Sequence, residues 1–376
     1  MNLSLHGRVG AALALTGVLA LTLSACGTDN NTAGGGTTGT GTTAATTTAG
    51  PALTGEISGQ GSTAQQKAMD AWRAAFQQAN PGATVNYDGT GSGAGRTAFI
   101  SGAADWAGSD SAMKPAELTQ AQARCGNTEA FDVPVYVSPI AVTFKLKGVT
   151  SLNLSPANVA KIFDNKITTW NDPAIAADNP GVTLPATKIT PVHRSDDSGT
   201  TNNFTDFLSQ AGGGAWSYPA SQTWPIQGGE SAQGTSGVVQ TVQGGDGTIA
   251  YADLSAVGAL PTAKIKVGTA WVAPSAEGAA KVLDDSPLDT SRSADDIVVK
   301  VNRTTTAAGA YPAILVSYAI ACQKYDSAAK ANLVKGLLSY IVSADAQQAA
   351  AKAAGSAPIT DDLRTKAQAA IAKIAG

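Results

Sequence analysis

Short extended runs alternate with amphipathic helical stretches, which predicts an α/β protein built on parallel strands. One pattern carries most of this reading: strand, then a small hydroxyl-rich turn, then helix, repeated three times along the chain. In open α/β sheets ligands sit beyond the carboxyl ends of the strands, which is where such turns gather. A fold of this class with three similar turns therefore predicts one shared site.

The first unit opens with Gly55, Glu56, Ile57 and Ser58 and turns through Gly59, Gln60, Gly61, Ser62, Thr63 and Ala64. A helix follows with Met69, Trp72 and Phe76 on one face, stopped by Asn80, Pro81 and Gly82. The second unit is a strand over 83–87, a glycine-rich turn through Ser92, and a helix carrying Phe99 and Ile100. A short element then runs from Asp105 to Ser109 and ends at Asp110. The extended run 133–144, with Pro134 and Pro139, is expected to cross between two lobes, and 311–320 to return. Ser155 and Pro156 make a helix start, as N-cap and first helical residue, leading to Ile162 and Phe163. The third unit is a strand over 188–193, the loop 194–200, and a helix with Asn203, Phe204, Phe207 and Leu208. Helices after Asp326, Ser343 and Asp361 read as amphipathic cover for the first lobe.

The N-terminus reads as an address. His6 and Arg8 precede an apolar run over 9–23, too short to span a bilayer comfortably, so residues 1–25 are expected to be a signal peptide. Leu23, Ser24 and Ala25 before Cys26 resemble the lipobox of bacterial lipoproteins, which makes Cys26 a candidate lipidation site. Residues 26–52 are mostly Gly, Thr, Ala and Asn and are expected to form a disordered tether. This combination predicts a globular body held at the extracytoplasmic face of a bacterial membrane by a lipid anchor. In that oxidising setting Cys125 and Cys322 are disulfide candidates.

Composition and motifs exclude several functions. Formal net charge is −3 and the basic residues are scattered, so no nucleic-acid partner is expected. No thiol pair has zinc spacing, no Gly-Lys-Ser/Thr marks a phosphate-cradling P-loop, and no Gly-x-Ser-x-Gly elbow is present. Neither a metal nor a cofactor is predicted, and no catalytic residue is assigned. Two of the turns match a weak form of the dinucleotide fingerprint; Asp88 follows the first, but at a longer interval than ribose recognition needs. A hydrolase using Ser92 or Ser198 as nucleophile is the enzymatic alternative, with His193 its only histidine beyond the leader.

The loop 194–200 carries the sharpest chemistry. Arg194 supplies a fixed cation, Ser198 and Thr200 supply hydroxyls, Gly199 leaves the backbone approachable, and a helix begins there. Free N–H groups and hydroxyls at a helix start suit a tetrahedral oxyanion, and a guanidinium adds charge-assisted bonds. Asp196 and Asp110 are acceptors only, so they fit an anion that still carries a proton. Phosphate does at neutral pH; sulfate, molybdate and tungstate do not.

With these residues placed, the chain resembles the phosphate-binding lipoproteins of the high-affinity bacterial phosphate ABC transporter, the PstS family. The likeness runs along Asn86-Tyr87 into Gly91-Ser92, Ala107 to Asp110, Ile162-Phe163, Ile167 to Asp172, and Asn179-Pro180-Gly181. It continues through the loop 194–200, Trp224-Pro225 and Gly247 to Tyr251. The resemblance implies a two-lobed periplasmic-binding-protein-like fold of type II, with mixed sheets, flanking helices and two hinge crossings. Lobe I is expected over 53–138 plus 305–376 and lobe II over 139–304. It further implies a monomer that holds inorganic phosphate and hands it to a membrane permease. By the same resemblance Ser62, Thr63 and the backbone of Ala64 line the ligand from the first helix start, and Ser92 from the second. Asp110 accepts a proton, Arg194 grips while Asp196 orients it, and Ser198, Gly199 and Thr200 donate from the third. Two departures stand out: Ala64 replaces a frequent phenylalanine, and Asp197 a frequent glycine.

Overall fold

A computed structural model describes residues 52–376; Cys26 and the expected leader fall outside the described residues, as does all but the end of the tether. β1 (Gly55–Gly61), α1 (Gln66–Ala79), β2 (Ala83–Asp88), α2 (Ser92–Ser101) and β3 (Trp106–Ser109) form the first run of the chain, followed by α3 (Pro115–Arg124). The three strands pair in parallel, β2 and β3 on either side of β1. α1 is a helix because Ala68, Met69, Trp72 and Phe76 repeat at helical spacing and all four are buried. Trp72 Nε1 also donates to the Ala346 carbonyl at 2.7 Å, so even the polar atom of that face is satisfied.

β4 (Ala130–Lys145) is the spine of the molecule. Every residue from Ala130 to Phe144 is buried, which explains the near-continuous apolar run. Its first part pairs antiparallel with β11 (Ile314–Cys322), down to Pro139 opposite Ile314. Its last part, from Ile140, pairs antiparallel with β8 (Thr248–Asp253). The two prolines fall where a missing N–H costs least: Pro134 at a register slip, Pro139 where one partner strand gives way to another.

Between them the chain makes β5 (Leu152–Leu154), α4 (Pro156–Phe163), α5 (Pro173–Asp178), β6 (Thr190–Arg194), α6 (Gly199–Ala211), β7 (Glu230–Ala232) and α7 (Gly234–Gly244). β6 lies parallel to both β8 and β7. After β8 come β9 (Ala263–Val267), β10 (Ala270–Val272) and α8 (Ala276–Asp284). The main sheet thus runs β2-β1-β3-β11-β4-β8-β6-β7, with β10-β9-β5 as a small second sheet. α9 (Ala328–Ile341), α10 (Ala344–Ala354) and α11 (Asp361–Ala372) close the chain, each N-capped by a hydroxyl: Ser327, Ser343 and Thr360.

The main sheet is mixed, as the resemblance implies: to the parallel strands that the alternation predicts it adds β11, which inserts antiparallel between β3 and β4. Much of the stretch read as a return crossing is that strand. Cys125 at the end of α3 and Cys322 at the end of β11 are joined in a disulfide with Cα atoms 5.3 Å apart, which confirms the candidate pair. No helix among the described residues is long and apolar enough to cross a membrane.

Candidate functional site

Four strand ends deliver the site. Ser62 follows β1, Ser92 follows the turn after β2, Asp110 follows β3, and the loop 194–200 joins β6 to α6. Three helices start at or just beyond these points: α1, α2 and α6. Close approach demands glycine twice. A Cβ on Gly61 (φ +148°) would lie 1.8 Å from the Gly108 carbonyl oxygen, and one on Gly199 would lie 2.6 Å from Ser92 Oγ.

Asp110 is the hub. Its Oδ1 accepts from Ser62 Oγ at 2.5 Å and from Ser317 Oγ at 2.6 Å, and its Oδ2 from Thr200 Oγ1 at 3.1 Å. Its backbone N–H donates to Ser92 Oγ (3.1 Å), and its carbonyl accepts from Asn203 Nδ2 (2.6 Å). One residue thus ties together all three helix starts. Burial raises its carboxyl above the ordinary aspartate range; the hydroxyls of Ser317, Ser62 and Thr200 and the charge of Arg194 oppose that rise. A carboxylate offers about four lone-pair positions, and three are taken by hydroxyls here. The remaining one, on Oδ2, can take a single donor.

The Arg194 side is built differently. Arg194 is 3 % exposed, and its Nε and Nη2 both donate to Asp196, a bidentate pair (Nε to Oδ1, 2.7 Å). Asp196 Oδ1 also accepts from Gly234 N, at the start of α7, at 3.0 Å. Burial works to raise Asp196, but the bonds and charge of Arg194 and the Gly234 amide outweigh it, and the carboxyl sits below its ordinary range. Among the described residues no acceptor engages Nη1 of Arg194. Tyr251, buried and pushed up to about 12, holds the strand end by accepting from Arg194 N (3.2 Å), and its hydroxyl meets Thr201 Oγ1 at 2.7 Å.

Ser198 is the N-cap of α6, accepting from Thr201 N at 3.2 Å. Ala64 N donates to Ser62 Oγ (3.1 Å). The Thr63 hydroxyl lies 2.9 Å from Thr235 Oγ1 and accepts from Thr235 N (3.2 Å), so it meets a fourth helix start, that of α7. Asp197 does not enter the cluster around Asp110: its carbonyl accepts from Gly93 N at 3.0 Å, and its carboxylate lies against Gly93. His193 stacks on Trp224 with its Nδ1 3.0 Å from the Arg194 carbonyl; it has no bond to a serine.

Sequence reasoning missed Ser317, Asn203 as a ligand of the Asp110 carbonyl, and the α7 start at Gly234 and Thr235. The helix start was findable, since Gly234-Thr235-Ser236-Gly237 repeats the small hydroxyl-rich pattern. Ser317 carried no signal in its own neighbourhood.

Fold and site together define a solute-binding architecture, and a PBP superfamily domain model matches residues 37–345. The chain is 37 % identical over 374 residues to phosphate-binding protein PstS 3 of Mycobacterium tuberculosis (strain ATCC 25618 / H37Rv), covering 98 % of this chain and 99 % of the relative. It is 36 % identical over 372 residues to phosphate-binding protein PstS 2 of the same strain, covering 97 % and 98 %. The fold is similar to that of a high-affinity periplasmic phosphate-binding protein solved with bound phosphate: the TM-score is 0.69 at 22 % identity, over 84 % of this chain and 93 % of that one. The chain belongs to the PstS family of phosphate-binding proteins.

Proposed function

We propose that this chain is an extracytoplasmic solute-binding protein that captures inorganic phosphate at the Asp110–Arg194 site and delivers it to the permease of an ABC transporter. Its relatives are named as binding proteins rather than enzymes, and the same role is assigned here. The binding region is read as two lobes, 53–138 plus 305–376 and 139–304, closing about the ligand, with Cys26 as a lipid anchor and the monomer as the working form.

The observation that carries the reading is the Asp110 hub. Three hydroxyls fill all but one acceptor position of a buried carboxylate, so the site is suited to an anion with a proton to give. Phosphate offers both the negative oxygens that Arg194 and the helix starts favour and the O–H that Oδ2 accepts. A fully ionised sulfate would set a bare oxygen against a buried carboxylate, and a site built for a missing hydrogen bond rejects the analogue by ~10⁴-fold. Arsenate, which also carries protons at neutral pH, is expected to pass.

A thermal-shift panel of phosphate, arsenate, sulfate and molybdate on protein stripped of co-purified ligand tests this. Phosphate and arsenate should raise the melting temperature while sulfate and molybdate should not. Absence of a phosphate response would defeat the proposal.

A further inference from the structure

We propose that Ser317 is a specificity-positioning residue: its hydroxyl pins Oδ1 of Asp110, so that Oδ2 alone meets the anion, as an acceptor. This deepens the phosphate reading above and rests on it.

Ser317 lies 207 residues along the chain from Asp110, in the interior of β11, and is fully buried. A hydroxyl buried among apolar strand residues is costly unless bonded, and the bond found for it is the one to Asp110. The backbone is shaped for that contact. The register of β11 against β4 slips between Ser317, opposite Tyr136, and Tyr318, opposite Pro134. Such irregularities re-aim a side chain. This one lies beside the pairing of Tyr318 with Ser109, the residue just before Asp110. Ser62, just after β1, fills the other position on Oδ1, so the two serines act as a pair of stops on one oxygen.

The consequence is orientational and electrostatic. With Oδ1 saturated, the carboxylate cannot rotate its second oxygen away from the ligand without breaking two bonds. The Ser317 hydroxyl also opposes the upward pull of burial on the Asp110 carboxyl, as do Ser62, Thr200 and the charge of Arg194. The other ionisable groups that feel Asp110 are Tyr87 and Asp253. Without the Ser317 hydroxyl, Asp110 takes up a proton at a higher pH. A protonated Asp110 is a donor, and a donor accepts sulfate.

Ser317→Thr and Ser317→Val change volume equally and differ only in the hydroxyl, so their contrast isolates it. Calorimetry with phosphate and with sulfate, from about pH 5 to about pH 8, reads the effect on wild type and both variants. Ser317→Thr should follow wild type. Ser317→Val should lose ~10-fold in phosphate affinity and should begin to bind sulfate at a higher pH than wild type. Ser317→Ala, which removes the hydroxyl without adding volume, supplies the same contrast if the larger side chains fail to pack. Equal behaviour of the Val and Thr variants, or a loss shared by both anions with no displacement along the pH axis, overturns the proposal. Failure of wild type to bind phosphate overturns the phosphate reading itself, and this inference with it.

Discussion

Asp110 and Asp196 lie in one site and are the same residue type, yet the protein holds them in opposite ways. Asp110 is surrounded by neutral hydroxyls from the turn after β1, from α6 and from β11, and burial lifts its carboxyl. Asp196 is locked to a guanidinium and a helix-start amide, and its carboxyl is lowered. A carboxylate held by an ion pair is already neutralised and serves as a brace. One held by hydroxyls keeps its charge uncompensated and stays sensitive to what a ligand brings. On the proposed function the difference separates grip from discrimination: Arg194, braced by Asp196, would bind any tetrahedral anion, and Asp110 would ask whether the anion carries a proton.

The strongest way to break that comparison is Asp110→Asn. An amide can donate to either anion, so the preference for phosphate over sulfate should fall from ~10⁴ to within about 10-fold, measured by calorimetry. An unchanged ratio would remove Asp110 from the selectivity role. Next in size is Arg194→Ala, which leaves Asp196 without its partner and should weaken phosphate by ~10³-fold. The change in arsenate affinity should match it, because Arg194 reads charge alone; a large difference between the two would show that grip and discrimination are not separable.

A further buried carboxylate, that of Asp253, extends the comparison. Asp253, pushed by burial to about 6, accepts from Tyr136 and from Ser255 N. Its folded value is raised, so the folded state holds the proton more tightly, and its contribution to stability is greatest at low pH and is lost as pH rises. Between about pH 4 and about pH 6 the loss should be roughly 3 kcal/mol at most, and Asp253→Asn should remove it. Asp196 should show the opposite sign, its contribution being present above the ordinary carboxylate range and lost as pH falls through its lowered value. Urea unfolding across pH checks both, and a slope of the same sign for both carboxylates would contradict the contrast. The smallest expected effect is that of Ser198→Ala, which should cost about 1 kcal/mol of stability through loss of the α6 cap, with the ratio of phosphate to sulfate affinity unchanged.

Most of the site was legible because its residues come in contiguous turns. Ser62, Ser92 and the loop 194–200 each precede an amphipathic helix, and local chemistry marks them without any knowledge of the fold. The pairing of Arg194 with Asp196 was equally local. Asp110 was identifiable as an acceptor, but its centrality was not, because its partners come from β1, α6 and β11. Ser317 shows why the rest was hidden. It sits in an apolar strand whose place between β3 and β4 depends on sheet topology, and a one-residue register slip decides where it points. Periodicity reports which residues are buried; it does not report which buried hydroxyl meets which carboxylate across the molecule. The antiparallel insertion of β11 was missed for the same reason, since an all-buried strand reads alike in either direction.

The account stands on Asp110 as an ionised acceptor for a proton carried by the ligand. Competition calorimetry on ligand-stripped wild-type protein at about pH 8, with sulfate in ~10-fold excess over phosphate, tests it most directly. Phosphate should bind with the same affinity whether or not sulfate is present. Displacement of phosphate by sulfate would contradict the account.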